Sequence, residues 1–245
     1  MKCKRLLSLL LPTAILLSGC QQVLATNHTS ENILRVSRDV DSYHQTVTLK
    51  TEVKTTKETG VSEINELYSI TEATLYPTDS IAYGTRIIKN NNSAPFILNM
   101  YGTNEIAFTQ KNNEEWISSV TVDPIFTSIE IYPYETFVEL SEIFAEKGTW
   151  IESDNEFLID YSGVDPEINQ KVSSLLKELP VSHTSYDVSI SLNRSDHRLL
   201  TFSYTTEVKQ GQQTTTQEIN SVFSNYNAVN KQDILKKLQT FIESN

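Results

Sequence analysis

The stretch Tyr43–Thr56, YHQTVTLKTEVKTT, limits what this chain can fold into more than any other. Tyr43, Val47, Leu49 and Val53 share one face of an extended strand, and His44, Lys50 and Lys54 share the other. Such a strand needs a layer against its apolar face and a neighbouring strand to satisfy its backbone. The residues that follow provide partners at once. Strands are expected at 64–75, 80–89, 95–101, 106–111 and 115–122. Turns lie at Glu58-Thr59-Gly60, Pro77-Thr78-Asp79, Asn90-Asn91-Asn92 and Tyr101-Gly102-Thr103-Asn104. Consecutive strands joined by short turns predict an antiparallel meander.

Around this meander the period changes. Ser30 is a candidate N-cap, and Ile33, Val36 and Val40 then recur at helical spacing, which predicts a short helix to about Ser42. Over 134–147, Phe137, Leu140, Ile143 and Phe144 form one helical stripe, followed by Gly148 where a terminating glycine belongs. A strand or hairpin covers 150–161. Asp165-Pro166 opens a second helix, with Ile168, Val172, Leu175, Leu176 and Leu179 as its stripe and Pro180 as its stop. Strands return at 185–192, 199–209 and 213–226. A last helix over 231–243 would turn Ile234, Leu235, Leu238, Phe241 and Ile242 inward.

One echo crosses these halves. Residues 51–65 read TEVKTTKETGVSEIN, and residues 206–220 read TEVKQGQQTTTQEIN. TEVK and EIN recur at the same offset. Either a hairpin is used twice in a pseudo-repeated sheet, or Thr-rich hairpins have converged by composition.

The N-terminus speaks of place. Lys2, Lys4 and Arg5 precede the run LLSLLLPTAILL, which contains Pro12 and is shorter than the roughly 20 residues of a membrane span. A basic start, a short apolar run and small residues make a secretory signal. Leu17, Ser18 and Gly19 then meet Cys20, and LSGC resembles the bacterial lipobox. That resemblance implies cleavage before Cys20 and a diacylglyceryl thioether on its sulfur. Cys3 would leave with residues 1–19, so the mature chain would carry no free thiol and no disulfide. Two acyl chains suffice for stable attachment. The expected organisation is a signal peptide at 1–19, a lipidated tether at 20–30 and one domain at 31–245. The expected location is extracytoplasmic, on the outer face of the cytoplasmic membrane, as in a Gram-positive bacterium.

Charge excludes some partners. The chain carries 20 basic and 31 acidic residues, for a net charge of −11. Three of the basic residues lie in the signal, so the exported part is more acidic still. Nucleic acid binding needs a basic footprint and is not expected. Close electrostatic adhesion to anionic lipid is not expected either.

A lipobox, a short helix, long antiparallel strands, a central helical insert and more strands resemble, as a layout, the LolA/LppX-like lipoproteins. The resemblance covers most of 31–226. It implies an α+β fold, a curved antiparallel half-barrel packed on a few helices. It further implies a non-enzymatic protein that holds lipid or another apolar ligand between sheet and helices. The expected lining comprises Leu49, Val53, Ile70, Tyr83, Ile97, Tyr101, Val188, Ile190, Phe202 and Tyr204, the apolar faces of the strands. The alternative is a surface interaction or scaffold module with a filled core.

Catalytic patterns are poor. Ser174-Leu175-Leu176-Lys177 fits Ser-x-x-Lys and Ser153-Asp154-Asn155 supplies SDN, but their order is inverted relative to the penicillin-recognising enzymes and no Lys-Thr-Gly follows. His28, His44, His183 and His197 have no ligand spacing, so no metal or cofactor is expected. Glu139, Glu142 and Glu146 read as a solvated helix face.

Overall fold

In the computed structural model, which describes residues 40–103, 105–119, 129, 132–228 and 230–244, β1 (Tyr43–Thr56) lies between two meanders. On one side it pairs along its whole length with β2 (Ser62–Tyr76), followed by β3 (Ile81–Asn90), β4 (Phe96–Gly102), β5 (Ala107–Lys111) and β6 (Ile117–Ser119). On the other side it pairs with β11 (Gln213–Ser224), followed by β10 (Leu199–Gln210), β9 (Ser185–Asn193), β8 (Glu156–Gly163) and β7 (Thr149–Glu152). All eleven form one open antiparallel sheet, in the order β6-β5-β4-β3-β2-β1-β11-β10-β9-β8-β7. The 150–161 segment is thus a hairpin, turning at Ser153–Asn155.

Three helices accompany the sheet among the described residues: α1 (Tyr134–Ala145), α2 (Pro166–Leu176) and α3 (Lys231–Ser244). The expected α+β class is therefore corrected. The fold is strand-dominated, because the pairing of β1 with β11 fuses both meanders into one sheet, while no helix among the described residues exceeds 14 residues. Residues 40–42 are not helical, and the rest of the helix expected before them lies outside the described residues. β6 is described over Ile117–Ser119, and residues 120–122 of the expected strand also lie outside the described residues.

The main core sits between α1, α2 and one face of the sheet. Tyr43, Val47, Phe223, Phe202, Ile190 and Ile159 rise from neighbouring strands on that face. Phe137 of α1 packs edge-on against Phe202 and Phe223, each 5.3 Å away between ring centres. Phe144, two turns on, meets Tyr161, Tyr186 and Tyr204. The phenol oxygen of Tyr134 accepts the N–H of Leu199 at 3.2 Å, tying the start of α1 to β10.

Gly148 follows α1 as expected, but not for a left-handed turn. A Cβ there would stand 2.8 Å from Ile159 Cγ2 and 2.9 Å from the Phe144 carbonyl, so close approach to β8 requires the glycine.

α3 lies on the opposite face. Ile234 is buried with Tyr76, Ile81, Tyr101 and Phe108 in a second, smaller core, and Lys231 pairs with Asp79 at 2.7 Å. Leu235, expected inward, is 39 % exposed.

Candidate functional site

Directly paired residues of antiparallel strands share a face, so the register locates every candidate. Leu49, Val53, Val188, Ile190, Phe202 and Tyr204 fall on the face covered by α1 and α2. Ile70, Tyr83, Ile97 and Tyr101 fall on the other face, and cannot line the same space. Of the first six, Val188, Ile190 and Phe202 are fully packed core. Tyr204 alone of the ten lines the gap between sheet and α2.

That gap is a partly open cavity of about 300 Å³. Its floor is two rungs of the central strands. Thr51, Gln217, Thr206 and Tyr186 form one rung across β1, β11, β10 and β9, and Thr215 and Val208 belong to the next. The two TEVK tetrapeptides lie here in register, two strands apart, with their leading threonines, Thr51 and Thr206, side by side across Gln217. The EIN segments do not match: Ile219 is 2 % exposed in the main core, while Ile64 is 56 % exposed on the other face. The two hairpins therefore pair in different registers.

The roof is α2. Asp165 caps it, its Oδ1 accepting the N–H groups of Glu167 and Ile168 at 2.9 and 3.2 Å, with Pro166 in the first turn. Lys147 reaches across from the end of α1 to Asp165 Oδ2 and Glu167 Oε2, at 2.7 and 2.9 Å. Those contacts hold both carboxyls below the usual range, through hydrogen bonds from Lys147 first of all. α2 ends at Leu176, earlier than Pro180 implied, because Lys177 takes the left-handed conformation with φ 56°. Leu179, assigned to the buried stripe, is instead 89 % exposed.

Asn169 stitches the far wall. Its Nδ2 donates to the Val181 carbonyl at 2.9 Å, and its Oδ1 accepts the Tyr186 hydroxyl at 2.6 Å. Thr184 Oγ1 donates to the same carbonyl at 2.7 Å. Val172 and Ser173 of α2, with Val181, close the space from above, and exposed Glu178 and Leu179 stand at its rim. The side chains of Thr51, Thr206, Thr215 and Gln217 make no hydrogen bond among the described residues. Burial first, then the nearby Glu178 charge, pushes the Tyr186 phenol up to about 12. Burial also raises the Tyr204 phenol well above its usual range, with lesser contributions from Tyr186, Glu178 and Tyr132. Both tyrosines are neutral at ordinary pH.

The other sequence candidates are dispersed. Ser174 lines a shallow depression between α1 and α2 with Glu139, Glu142 and Glu146, and Lys177 is exposed past the helix end. Asp154 and Asn155 line a separate depression with Arg194. Glu142 is not simply solvated: its Oε1 is buried without a partner among the described residues, and its carboxyl is pushed up to about 7 by desolvation, then by Glu139 and Glu146. Tyr83 and Tyr101, their rings stacked 5.3 Å apart, border a recess of about 270 Å³ on the other face with His44, Glu72, Asn99 and Trp116. Cys20, Leu17, Ser18 and Gly19 lie outside the described residues. Among the described residues, no group of three or more His, Cys, Asp or Glu is placed to hold a metal ion, and no helix is long and apolar enough to cross a membrane.

No protein-family model and no curated protein matches the chain. Solved structures similar to it include two of different families. A LolA superfamily protein from Nitrosomonas europaea aligns over 79 % of this chain and 93 % of its own, at 9 % identity and a TM-score of 0.23. A DUF1329 family protein from Desulfovibrio piger aligns over 82 % and 93 %, at 9 % identity and a TM-score of 0.22. With scores this low the alignments run along most of each chain without superposing them closely.

Proposed function

We propose that this chain is an exported, lipid-anchored binding protein, without catalytic activity, that takes a small amphipathic molecule into the space beneath α2. The observation that carries this reading is the cavity itself. At about 300 Å³ it stands at the lower end of small-molecule sites, with apolar and aromatic walls and a few polar groups that converge on one space. Those polar groups are hydroxyls and amides without a protein partner among the described residues, which suits them to orient a ligand. The wall is pinned by the Asn169 hydrogen bonds, so the space is formed before anything enters.

A neutral solvatochromic dye, N-phenyl-1-naphthylamine, tests the reading. Its fluorescence is expected to rise with the protein and to lose that rise in Val208→Trp, whose indole fills the floor. A variant that folds and binds dye as the parent does would remove the cavity from the function. The anchor is tested separately: labelled palmitate is expected to incorporate into the parent and not into Cys20→Ser.

A further inference from the structure

We infer that this cavity selects a cationic head group, so that its ligand is a small amine or quaternary ammonium compound with an aromatic or short aliphatic tail. The inference rests on the binding reading above and names the chemistry of the ligand. Charge decides it. Glu178 is the one charged side chain among the described lining residues, and no lysine, arginine or histidine joins it. Its carboxylate has no salt bridge among the described residues. The neighbouring lysines of the helix pair are engaged elsewhere, Lys147 with Asp165 and Glu167, and Lys171 with Glu146 and Glu167. Lys177, next to Glu178 in sequence, is not part of the wall. A carboxylate, sulfate or phosphate head would therefore meet like charge and find no counter-ion in the cavity. A cation meets Glu178 at the rim.

The rings point the same way. Tyr186 and Tyr204 line the inner end, with ring centres 5.9 Å apart and planes at 54°. Neutral phenol faces attract cations through the ring quadrupole. The hydroxyl of Tyr186 donates to Asn169 and its ring packs against Phe144 and Tyr204, so the pair forms a rigid aromatic inner wall. Val172, Val181 and Leu179 supply apolar surface for the tail. The chain's net charge of −11 adds a long-range pull on cations. A space of about 300 Å³ also excludes a two-chain lipid.

The test compares three probes with one ring and three heads: benzyltrimethylammonium, benzyl alcohol and phenylacetate. Each is titrated calorimetrically against the full chain in phosphatidylcholine nanodiscs. Benzyltrimethylammonium is expected to bind about tenfold tighter than phenylacetate, with a gap that narrows as salt rises. Glu178→Gln should weaken the cation severalfold and leave benzyl alcohol unchanged. Glu178→Lys should reverse the order of cation and anion. Equal affinity for all three heads, or indifference to both Glu178 variants, would overturn the inference while dye binding keeps the cavity reading intact. If no head binds and the dye also ignores Val208→Trp, both fall together.

Discussion

The rung Leu49–Ile219–Tyr204–Val188 and the rung Thr51–Gln217–Thr206–Tyr186 are neighbours on the same four strands and the same face. Along each strand they are only about 6.7 Å apart. Yet Ile219 is 2 % exposed beneath the helices, while Gln217 next to it stays half-buried on a cavity floor. The difference lies in the roof. α2 stops at Leu176 and Lys177 turns left-handed, so only Val172 and Ser173 at the end of the helix, with Val181, stand over the second rung, and they leave a space above it. Strand alternation tells which face a residue takes, and the covering element decides whether that face becomes core or cavity.

The comparison breaks most visibly at Ile219. Ile219→Ala is expected to cost about 3 kcal/mol, from lost burial plus the void left behind. Gln217→Ala, one rung on, is expected to cost less than about 0.5 kcal/mol, as for a site that already meets solvent. Urea unfolding midpoints measure both. Equal losses would mean that the second rung is packed like the first.

Polar residues sharpen the contrast. Gln45, Thr71 and Ser221 also lie on the helix-covered face, but in its packed part. Both amide atoms of Gln45 and the hydroxyls of Thr71 and Ser221 are buried without a partner among the described residues. A buried polar atom left unpaired costs about 1–3 kcal/mol. Gln45→Met, similar in shape, is therefore expected to raise stability by about 1–2 kcal/mol, read as a higher urea midpoint. Gln217→Met should gain nothing, since water can already reach that amide. A destabilised Gln45→Met would reveal an internal partner such as an ordered water.

The sequence made the strands legible, and with them the faces of Leu49 and Val53, because β1 pairs from end to end without a register shift. It did not reveal the relation between strands. Ile70, Tyr83, Ile97 and Tyr101 alternate correctly within their own strands, but each was in phase with the far face. That face is apolar too where α3 packs, so hydrophobicity could not choose between them. Leu179 continued a helical stripe on paper, but the residue before a proline is pushed out of the helical region. The floor of the cavity was visible as an echo, TEVK twice, without a sign that Thr51 and Thr206 lie on one rung. That alignment depends on β1 pairing with β11, a contact between distant parts of the chain.

The outer side of α2 gives a further contrast, in pH. Glu142 has a folded-state pKa raised from 4.5 to about 7, through desolvation first. A raised carboxyl means that the folded state binds the proton more tightly than the unfolded chain. Its stabilising effect is complete below about pH 4.5 and is lost as pH rises through about 7. Solvent screening at this half-exposed seam limits the effect to about 1 kcal/mol. The parent's melting point is expected to fall by a few degrees across that window, and Glu142→Gln to flatten the fall. A parallel fall in the variant would assign it to other groups.

The smallest effect tests the floor itself. Thr206 is 7 % exposed, and its hydroxyl makes no hydrogen bond among the described residues. Thr206→Val exchanges that hydroxyl for a methyl of nearly the same size. In the packed part of this face, as at Thr71, the same change should register as a gain, because an unpaired hydroxyl would be removed from the interior. On a cavity floor it should alter stability by less than about 0.5 kcal/mol. It should still change what the cavity prefers: the neutral dye is expected to bind up to about threefold tighter, since less polar surface must be desolvated. Thr51→Val should do the same, because register places it at the equivalent point two strands away. The double variant should then show the sum of the two shifts if each threonine meets the ligand independently, and less than the sum if one water or one ligand group bridges them.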